Sequence, residues 1–145
     1  MSLFSSLGVS ASGMAAQRAR AELLVENLAN SETTRTPEGG PYRRKDAVFT
    51  TIEPEEAFGD LFQSEVDEAG GGVQVAEVIQ DQREPLMRYL PGHPDADAEG
   101  YVAFPRINPA EDMVDLASAA RGFQANVAAM SAIKDMINRS IDLLR

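Results

Sequence analysis

A chain of 145 residues without cysteine, carrying a formal net charge of −10, has room for one compact domain and for neither a disulfide framework nor a thiolate metal site. It lacks the basic footprint that a nucleic-acid partner requires and the Lys/Arg-rich face that holds a helix on an anionic membrane. The charge is uneven: residues 31–107 carry −9 of it, so a solvated middle separates two nearly neutral ends that suit packing. No run approaches the roughly 18 apolar residues of a membrane span. Met1-Ser2-Leu3-Phe4 offers no positively charged leader before an apolar stretch, so no cleavable secretory signal is read.

The first predicted element is a helix that begins between Phe4 and Gly8 and runs to about Asn30. Its interior, Ala15 to Glu22, consists largely of strong helix formers. Leu7, Ala11, Met14, Arg18, Ala21, Val25 and Leu28 recur at steps of three and four, the spacing of a seam that faces another helix. Gly8 and Gly13 are weak points that would fray. Asn27-Leu28-Ala29-Asn30-Ser31 ends the helix, because short polar side chains there compete for the backbone.

A loop follows at Thr36-Pro37-Glu38-Gly39-Gly40-Pro41. Arg43-Arg44-Lys45 is a basic cluster in an acidic region, read as a solvated edge balanced by Asp46. Ala47 to Ile52 reads as a strand. Glu53-Pro54-Glu55-Glu56 opens either an acidic loop or a short helix, for which Pro54 is a start signal and Phe58, Leu61 and Phe62 would form one apolar edge; Gly70-Gly71-Gly72 then breaks the chain. Three strand-like runs come next, Val73–Ile79, Leu86–Leu90 and Tyr101–Phe104, separated by prolines. They predict one small β unit of three or four strands with a modest core.

The last element spans Asn108 to Arg145. Met113, Leu116, Ala120, Phe123, Val127, Met130, Lys134, Ile137, Ile141 and Leu144 hold the three-four rhythm over more than four heptads. At about 1.5 Å per residue the segment is roughly 50 Å long, too long for the core of a small globule. Its partner is the N-terminal helix, other chains, or both. The fold expectation is a mainly α protein with a small β middle. Long N- and C-terminal helices form an antiparallel coiled coil, joined through a β-strand-rich unit, with boundaries at residues 1–32, 33–107 and 108–145. The seam residues named above, apart from Arg18 and Lys134, are the expected subunit interface. Arg18 and Lys134 interrupt the seams and either set register or snorkel to solvent.

Residues that look chemical have plainer readings. Asp95-Ala96-Asp97-Ala98-Glu99-Gly100 resembles the opening of a calcium loop, but the twelfth position, which needs a bidentate acid, is Arg106. His93 has no second His or Cys with which to share a metal. There is no G-x-S-x-G nucleophile element, and the triple glycine lacks the Lys and Ser/Thr of a phosphate loop. No catalytic, cofactor or metal residues are read, and an enzyme is not expected.

Over nearly its whole length the sequence resembles the flagellar basal-body proximal rod proteins, the FlgC type of the rod and hook axial family. The resemblance rests on Asn27-Leu28-Ala29-Asn30-Ser31-Glu32-Thr33-Thr34, on Tyr42-Arg43-Arg44-Lys45, and on Pro91-Gly92-His93-Pro94 through Tyr101-Val102. At the C-terminal end it rests on Glu111-Asp112-Met113-Val114-Asp115 and Ala120-Arg121-Gly122-Phe123-Gln124-Ala125-Asn126-Val127. Residues 53–72 depart from it, being longer than in lean members. The resemblance implies a structural rod subunit, with family motifs at Asn27, Leu28, Ala29, Asn30, Gln124, Ala125 and Asn126. It implies other rod proteins, the rod-to-ring adaptor and the membrane-embedded MS-ring protein as partners, and self-association within a rod in the periplasmic space. It also implies type III export, with Leu3 and Phe4 engaging the export apparatus. The competing expectation is a self-contained helical hairpin acting as an adaptor or export chaperone. Such a hairpin must be stable alone, whereas rod-subunit ends would order on assembly.

Overall fold

The computed structural model describes residues 3–52 and 71–143. Helix α1 spans Leu3–Ala29 and α2 spans Pro109–Asp142. Between them lie strands β1, Lys45–Ile52, β2, Gly72–Gln80, β3, Leu86–Tyr89, and β4, Tyr101–Phe104. The helical edge expected at Phe58, Leu61 and Phe62, and the seam residue Leu144, lie outside the described residues.

The start of α2 follows from its sequence. Asn108 is extended and its Oδ1 accepts from the Ala110 amide at 3.2 Å, Pro109 occupies the first turn, and Glu111 and Asp112 place acids at the positive end of the helix. The end of α1 is closed by its own side chains. Asn30 Nδ2 donates to the Glu26 carbonyl at 2.9 Å, and Asn30 Oδ1 accepts from Thr33 Oγ1 at 3.1 Å. The Glu26 carbonyl also accepts from the Asn30 amide at 3.1 Å, so Asn30 adds a side-chain bond to the last backbone one.

The two helices pack antiparallel. Arg20 Nη2 sits 3.1 Å from Asp115 Oδ1, Gln17 lies against Gly122, and Gly13 against Asn126. Residue numbers fall along α1 as they rise along α2. The close approach depends on missing side chains: a Cβ at Gly13 would stand 3.0 Å from the Asn126 amide, and one at Gly122 would stand 3.2 Å from Gln17. Gly13 is therefore a packing position, not the weak point expected from its helix propensity.

The middle corrects the expectation of one small sheet. Among the described residues the strands form two separate two-stranded antiparallel sheets, β1–β2 and β3–β4. The β1–β2 ribbon runs from Lys45↔Gln80 to Ile52↔Gly72, with a bulge between Val48 and Phe49. It lies along α1 and is pinned at both ends. Ser12 Oγ accepts from the Val73 amide at 3.1 Å, and Asn27 binds the Lys45 backbone. Those anchors are roughly 22 Å apart on the helix, close to the length of an eight-residue strand such as β1. Because α1 supplies the ribbon's second layer, the four strands need not form a single sheet.

The β3–β4 hairpin hangs on loops. Thr34 Oγ1 donates to Asp95 Oδ2 at 2.8 Å and Arg35 Nε lies 3.3 Å from Asp95 Oδ1. Its inward face is the buried pair Val102 and Phe104, with the Arg88 guanidinium 4.8 Å from the Phe104 ring centroid. Tyr89 and Tyr101 stand edge to face on its outer side, centroids 5.4 Å apart. Gly100 closes the loop at φ +86°, and a Cβ there would meet Tyr89 Cε2 at 2.9 Å.

Replacing Gly13 by Leu is expected to force the helices apart and cost about 1–3 kcal/mol. Urea unfolding followed by far-UV circular dichroism checks it, and unchanged stability would show that the helices do not approach here.

Candidate assembly surface

The buried positions of α2 are Asp112, Ala119 and Ile133. Between them Leu116, Gly122, Asn126 and Met130 are half-buried, as is Ile137 one turn beyond Ile133. Together these residues keep the three-four spacing of one helical face. Leu116, Met130 and Ile137 belong to the stripe read from the sequence, and Phe123 sits at its edge. The other half of that stripe faces out: Met113 is 57% exposed, Val127 46% and Ile141 56%, and Ala120 and Lys134 are exposed as well. Asp112, Ala119, Asn126 and Ile133 each precede a stripe residue by one position, so the inward face overlaps the stripe and is turned from it by less than the ~100° of one residue.

Helix α1 shows the same division. Leu7, Met14, Ala21 and Leu28 are half-buried, while Ala11, Arg18 and Val25 are exposed. The fully buried residues are Ser10, Ala16, Leu24 and Asn27. Arg18 pairs with Glu22 across one helical turn on the solvent side. Arg18 and Lys134 are both exposed, away from the contact between the two helices.

The reason α2 turns this way lies at the corner where α1, β1 and the start of α2 meet. Asn27 has no solvent exposure. Its Nδ2 donates to the Lys45 carbonyl at 2.8 Å, and its Oδ1 accepts from the Lys45 amide at 2.9 Å and the Tyr42 hydroxyl at 3.0 Å. A buried amide satisfied on both sides fixes its surroundings. Burial first, and the Glu26 carboxylate second, push the Tyr42 hydroxyl up to about 12. Lys45 Nζ stands 2.6 Å from Glu26 Oε1 and 5.7 Å from the Tyr42 ring centroid.

Of the Arg43-Arg44-Lys45 cluster, Arg43 is exposed as expected from composition, whereas Arg44 and Lys45 are half-buried. Arg44 does approach Asp46, at 3.2 Å, but it also reaches the buried Asp112 at 3.0 Å. Both Asp112 carboxylate oxygens lack a hydrogen-bond partner in spite of that approach. Desolvation raises the Asp112 pKa against the lowering effect of Arg44, with Asp46, Asp115 and Glu111 adding to the rise. Sequence reasoning missed this corner. Asn27 and Asp112 fall within the recognised motifs, but nothing in their spacing says that they are buried.

The acidic turn and the lone histidine are occupied locally. Asp97 Oδ1 accepts from the Glu99 amide at 2.9 Å and from the Tyr101 amide at 2.8 Å. His93 Nδ1 accepts from the Asp95 amide at 3.1 Å. These are turn-forming bonds of short polar residues. Among the described residues no group of three or more His, Cys, Asp or Glu is placed to hold a metal ion. No helix among them is long and apolar enough to cross a membrane.

Comparison with known proteins agrees along the whole chain. Residues 98–143 match the family model described as flagellar basal body rod FlgEFG protein C-terminal. The flagellar basal-body rod protein FlgC of Bacillus subtilis is 40% identical, with 99% of each chain covered. That of Borreliella burgdorferi is 37% identical over 100% of this chain and 99% of its own. The Salmonella typhimurium protein of the same name is 36% identical over 99% and 98%.

Two predictions follow from the corner. Asn27→Ala strands the Lys45 amide and the Tyr42 hydroxyl in the interior and is expected to cost about 2–3 kcal/mol, read by urea unfolding. For Tyr42 the folded pKa is raised, so its contribution is fully present below about pH 10 and is lost as pH rises towards about 12. The stability gap between the wild-type chain and Tyr42→Phe should close across that window; a constant gap would contradict the buried, neutral hydroxyl.

Proposed function

This chain belongs to the flagellar basal-body rod protein FlgC family, and we propose that it is a structural subunit of the proximal rod that assembles through its terminal helices. The observation that carries the reading is the outward half of the α2 stripe. Met113, Val127 and Ile141 remain about half exposed. Fully burying a side chain of this size contributes ~1.5–3 kcal/mol, so leaving each half exposed forgoes roughly 1 kcal/mol. Inside the pair, Gly13, Gln17, Gly122 and Asn126 meet, with Arg20 and Asp115, and Ala119 and Ile133 are the buried apolar residues of α2. A self-contained hairpin would be expected to turn Met113, Val127 and Ile141 inward as well. A subunit that completes its core against neighbours suits it, because a hydrophobic stripe left on a helix marks a contact surface.

On this reading the interface comprises Leu7, Ala11, Met14, Ala21, Val25 and Leu28 of α1. On α2 it comprises Met113, Leu116, Ala120, Phe123, Val127, Met130, Ile137 and Ile141, and in the sequence after α2 Leu144. The partly buried members serve both the internal pair and the neighbour, and coiled-coil packing arises across copies in the assembled rod. The partners are other rod proteins, the rod-to-ring adaptor and the MS-ring protein, with transient passage through the type III export apparatus on the way to the periplasmic space. The role is structural and needs no cofactor.

The Asn-Leu-Ala-Asn motif acquires a physical role in this proposal. Asn27 ties the ribbon to α1 and Asn30 closes the helix end, so the assembly surface and the middle are held in a fixed relation. A drive shaft under torque requires such a relation, since slack between helix and middle would be lost motion.

Val127→Glu and Met113→Glu change exposed side chains and should leave the far-UV spectrum and urea midpoint within about 0.5 kcal/mol of wild type. In a motile strand of the source organism lacking its own copy, each should abolish swimming and leave basal bodies without a complete rod. Normal swimming by the double variant would overturn the reading.

A further inference from the structure

Where three connections of the chain meet, guanidinium groups outnumber acids. Arg43 and Arg44 come from the α1–β1 connection, Arg83 from the β2–β3 connection and Arg106 from the β4–α2 connection. They line a cleft of about 50 Å³ walled by prolines, and among the described residues Asp81 is the one acid on that lining. Asp81 is engaged by Arg83, whose Nε stands 2.9 Å from both carboxylate oxygens and whose Nη2 stands 2.6 Å from Oδ2. Hydrogen bonds from Arg83 first hold the Asp81 carboxyl down at about 2, so at neutral pH the pair is ionised and carries no net charge. Arg44 turns inward to Asp46 and Asp112. Arg43 is exposed, and its Nη1 donates to the Asp81 carbonyl at 3.0 Å, a bond that leaves its charge unmatched. Arg106 is exposed as well, and acts on Asp81 only through space. No hydrogen bond or ion pair holds its guanidinium among the described residues. Of the four guanidinium charges on the lining, those of Arg43 and Arg106 remain, on a chain whose formal charge is −10.

We propose that this cleft binds a single tetrahedral dianion of the phosphate class, held between the Arg43 and Arg106 guanidinium groups. Size limits the ligand. One water needs roughly 10–15 Å³ of such space, so the cleft admits one anionic group and no length of polymer. Charge sets the valence: a phosphoryl group carries about −1.5 to −2 at neutral pH and matches the excess, whereas a carboxylate matches half of it. Donor geometry sets the class, since each guanidinium presents a planar fork of N–H groups that pairs with two oxygens of such an anion. Proline fixes its own backbone angle, so the walls are rigid. Asp81 does not repel the ligand strongly, because both of its oxygens already face Arg83.

The ligand joins parts that the chain leaves loosely connected. Among the described residues β3 and β4 pack closely against no helix or strand but each other, and their hairpin is held through loops. Arg43 stands just before the ribbon and Arg106 just after the hairpin. An anion between them fastens the hairpin to the ribbon and, through the ribbon, to α1. The site needs one copy of the chain only, so the proposal stands apart from the assembly reading.

The test titrates the full chain with inorganic phosphate at neutral pH and constant ionic strength, read by calorimetry, phosphorus NMR and the urea midpoint. Saturable one-to-one binding is expected. The ratio of folded to unfolded chain should rise about a hundredfold when phosphate stands at about a hundred times its dissociation constant. Acetate should bind more weakly, since a single charge interacts about half as strongly as two. Arg106→Gln should weaken phosphate binding at least about tenfold, the loss of one charge-assisted pair. It should leave the urea midpoint without phosphate unchanged, because no bond of the fold uses that guanidinium. Arg43→Gln should lower binding similarly, and Arg106→Lys, which keeps the charge without the fork, should recover part of it. Glycerol phosphate separates two sources of the group. Binding equal to that of phosphate assigns the cleft to a terminal phosphoryl on a larger molecule, weaker binding assigns it to the free ion, and either supports the site. Phosphate also stabilises proteins in general by exclusion from their surface. A midpoint gain that does not saturate, or that survives in Arg43→Gln and Arg106→Gln, is that general effect and overturns the proposal, as does the absence of saturable binding. Val127→Glu should bind phosphate as the wild-type chain does, which separates failure of this site from failure of the helix-face contact.

Discussion

The close contact between α1 and α2 at Gly13, Gln17, Gly122 and Asn126 is the constraint on which the rest of the structure depends. Helices approach this nearly only where side chains are small, and Gly13 and Gly122 leave no room for more. Once those residues face inward, the remaining orientation of α2 is settled. Ala119 and Ile133 turn in with them, and Met113, Val127 and Ile141 must turn out. The pair buries Ala119 and Ile133 of α2 but leaves much of that helix's apolar stripe outside. It aligns the helices without exhausting their apolar surface, and that suits a subunit whose helices finish packing elsewhere.

A second device couples this pair to the middle of the chain. Asn27 is buried and fully bonded, and through Tyr42 and Lys45 it fixes where the ribbon starts. One step along, Arg44 reaches from the same strand entry to Asp112 in the first turn of α2. The Asp112 carboxylate is an expensive group to bury, since its oxygens have no hydrogen-bond donor in good geometry. Its position near the positive end of α2 and beside a guanidinium offsets part of that cost. Removing either partner would leave an uncompensated buried charge, so the corner specifies one arrangement of three elements more than it stabilises it.

Much of this was legible in one dimension. The termini of α1 and α2 follow from Asn30 and from Asn108-Pro109, whose local bonds are the ones their side chains favour. β4 coincides with the Tyr101–Phe104 run, and β1, β2 and β3 differ from the expected strands by one or two residues, because alternation and proline punctuation act locally. The grouping of strands into two sheets was not legible. It depends on α1 lying along the ribbon through Ser12 and Asn27, a partnership with no sequence-local signal. Gly13 was misjudged for the same reason: helix propensity counts its entropy, whereas its packing value exists only opposite Asn126.

The sequence by itself determined that two long apolar stripes flank an acidic, strand-bearing middle, and that no cysteine chemistry is possible. Periodicity, composition and residue count decide such things, and each is a property of the chain before it folds. Only the tertiary structure decided which side of each stripe is spent inside the molecule. Met113 and Asp112 are neighbours in sequence, yet the polar one is buried and the apolar one is exposed. Close packing at two glycines and an ion pair to Arg44 outweighed the hydrophobic preference of a single side chain, and that choice left an apolar face for other chains.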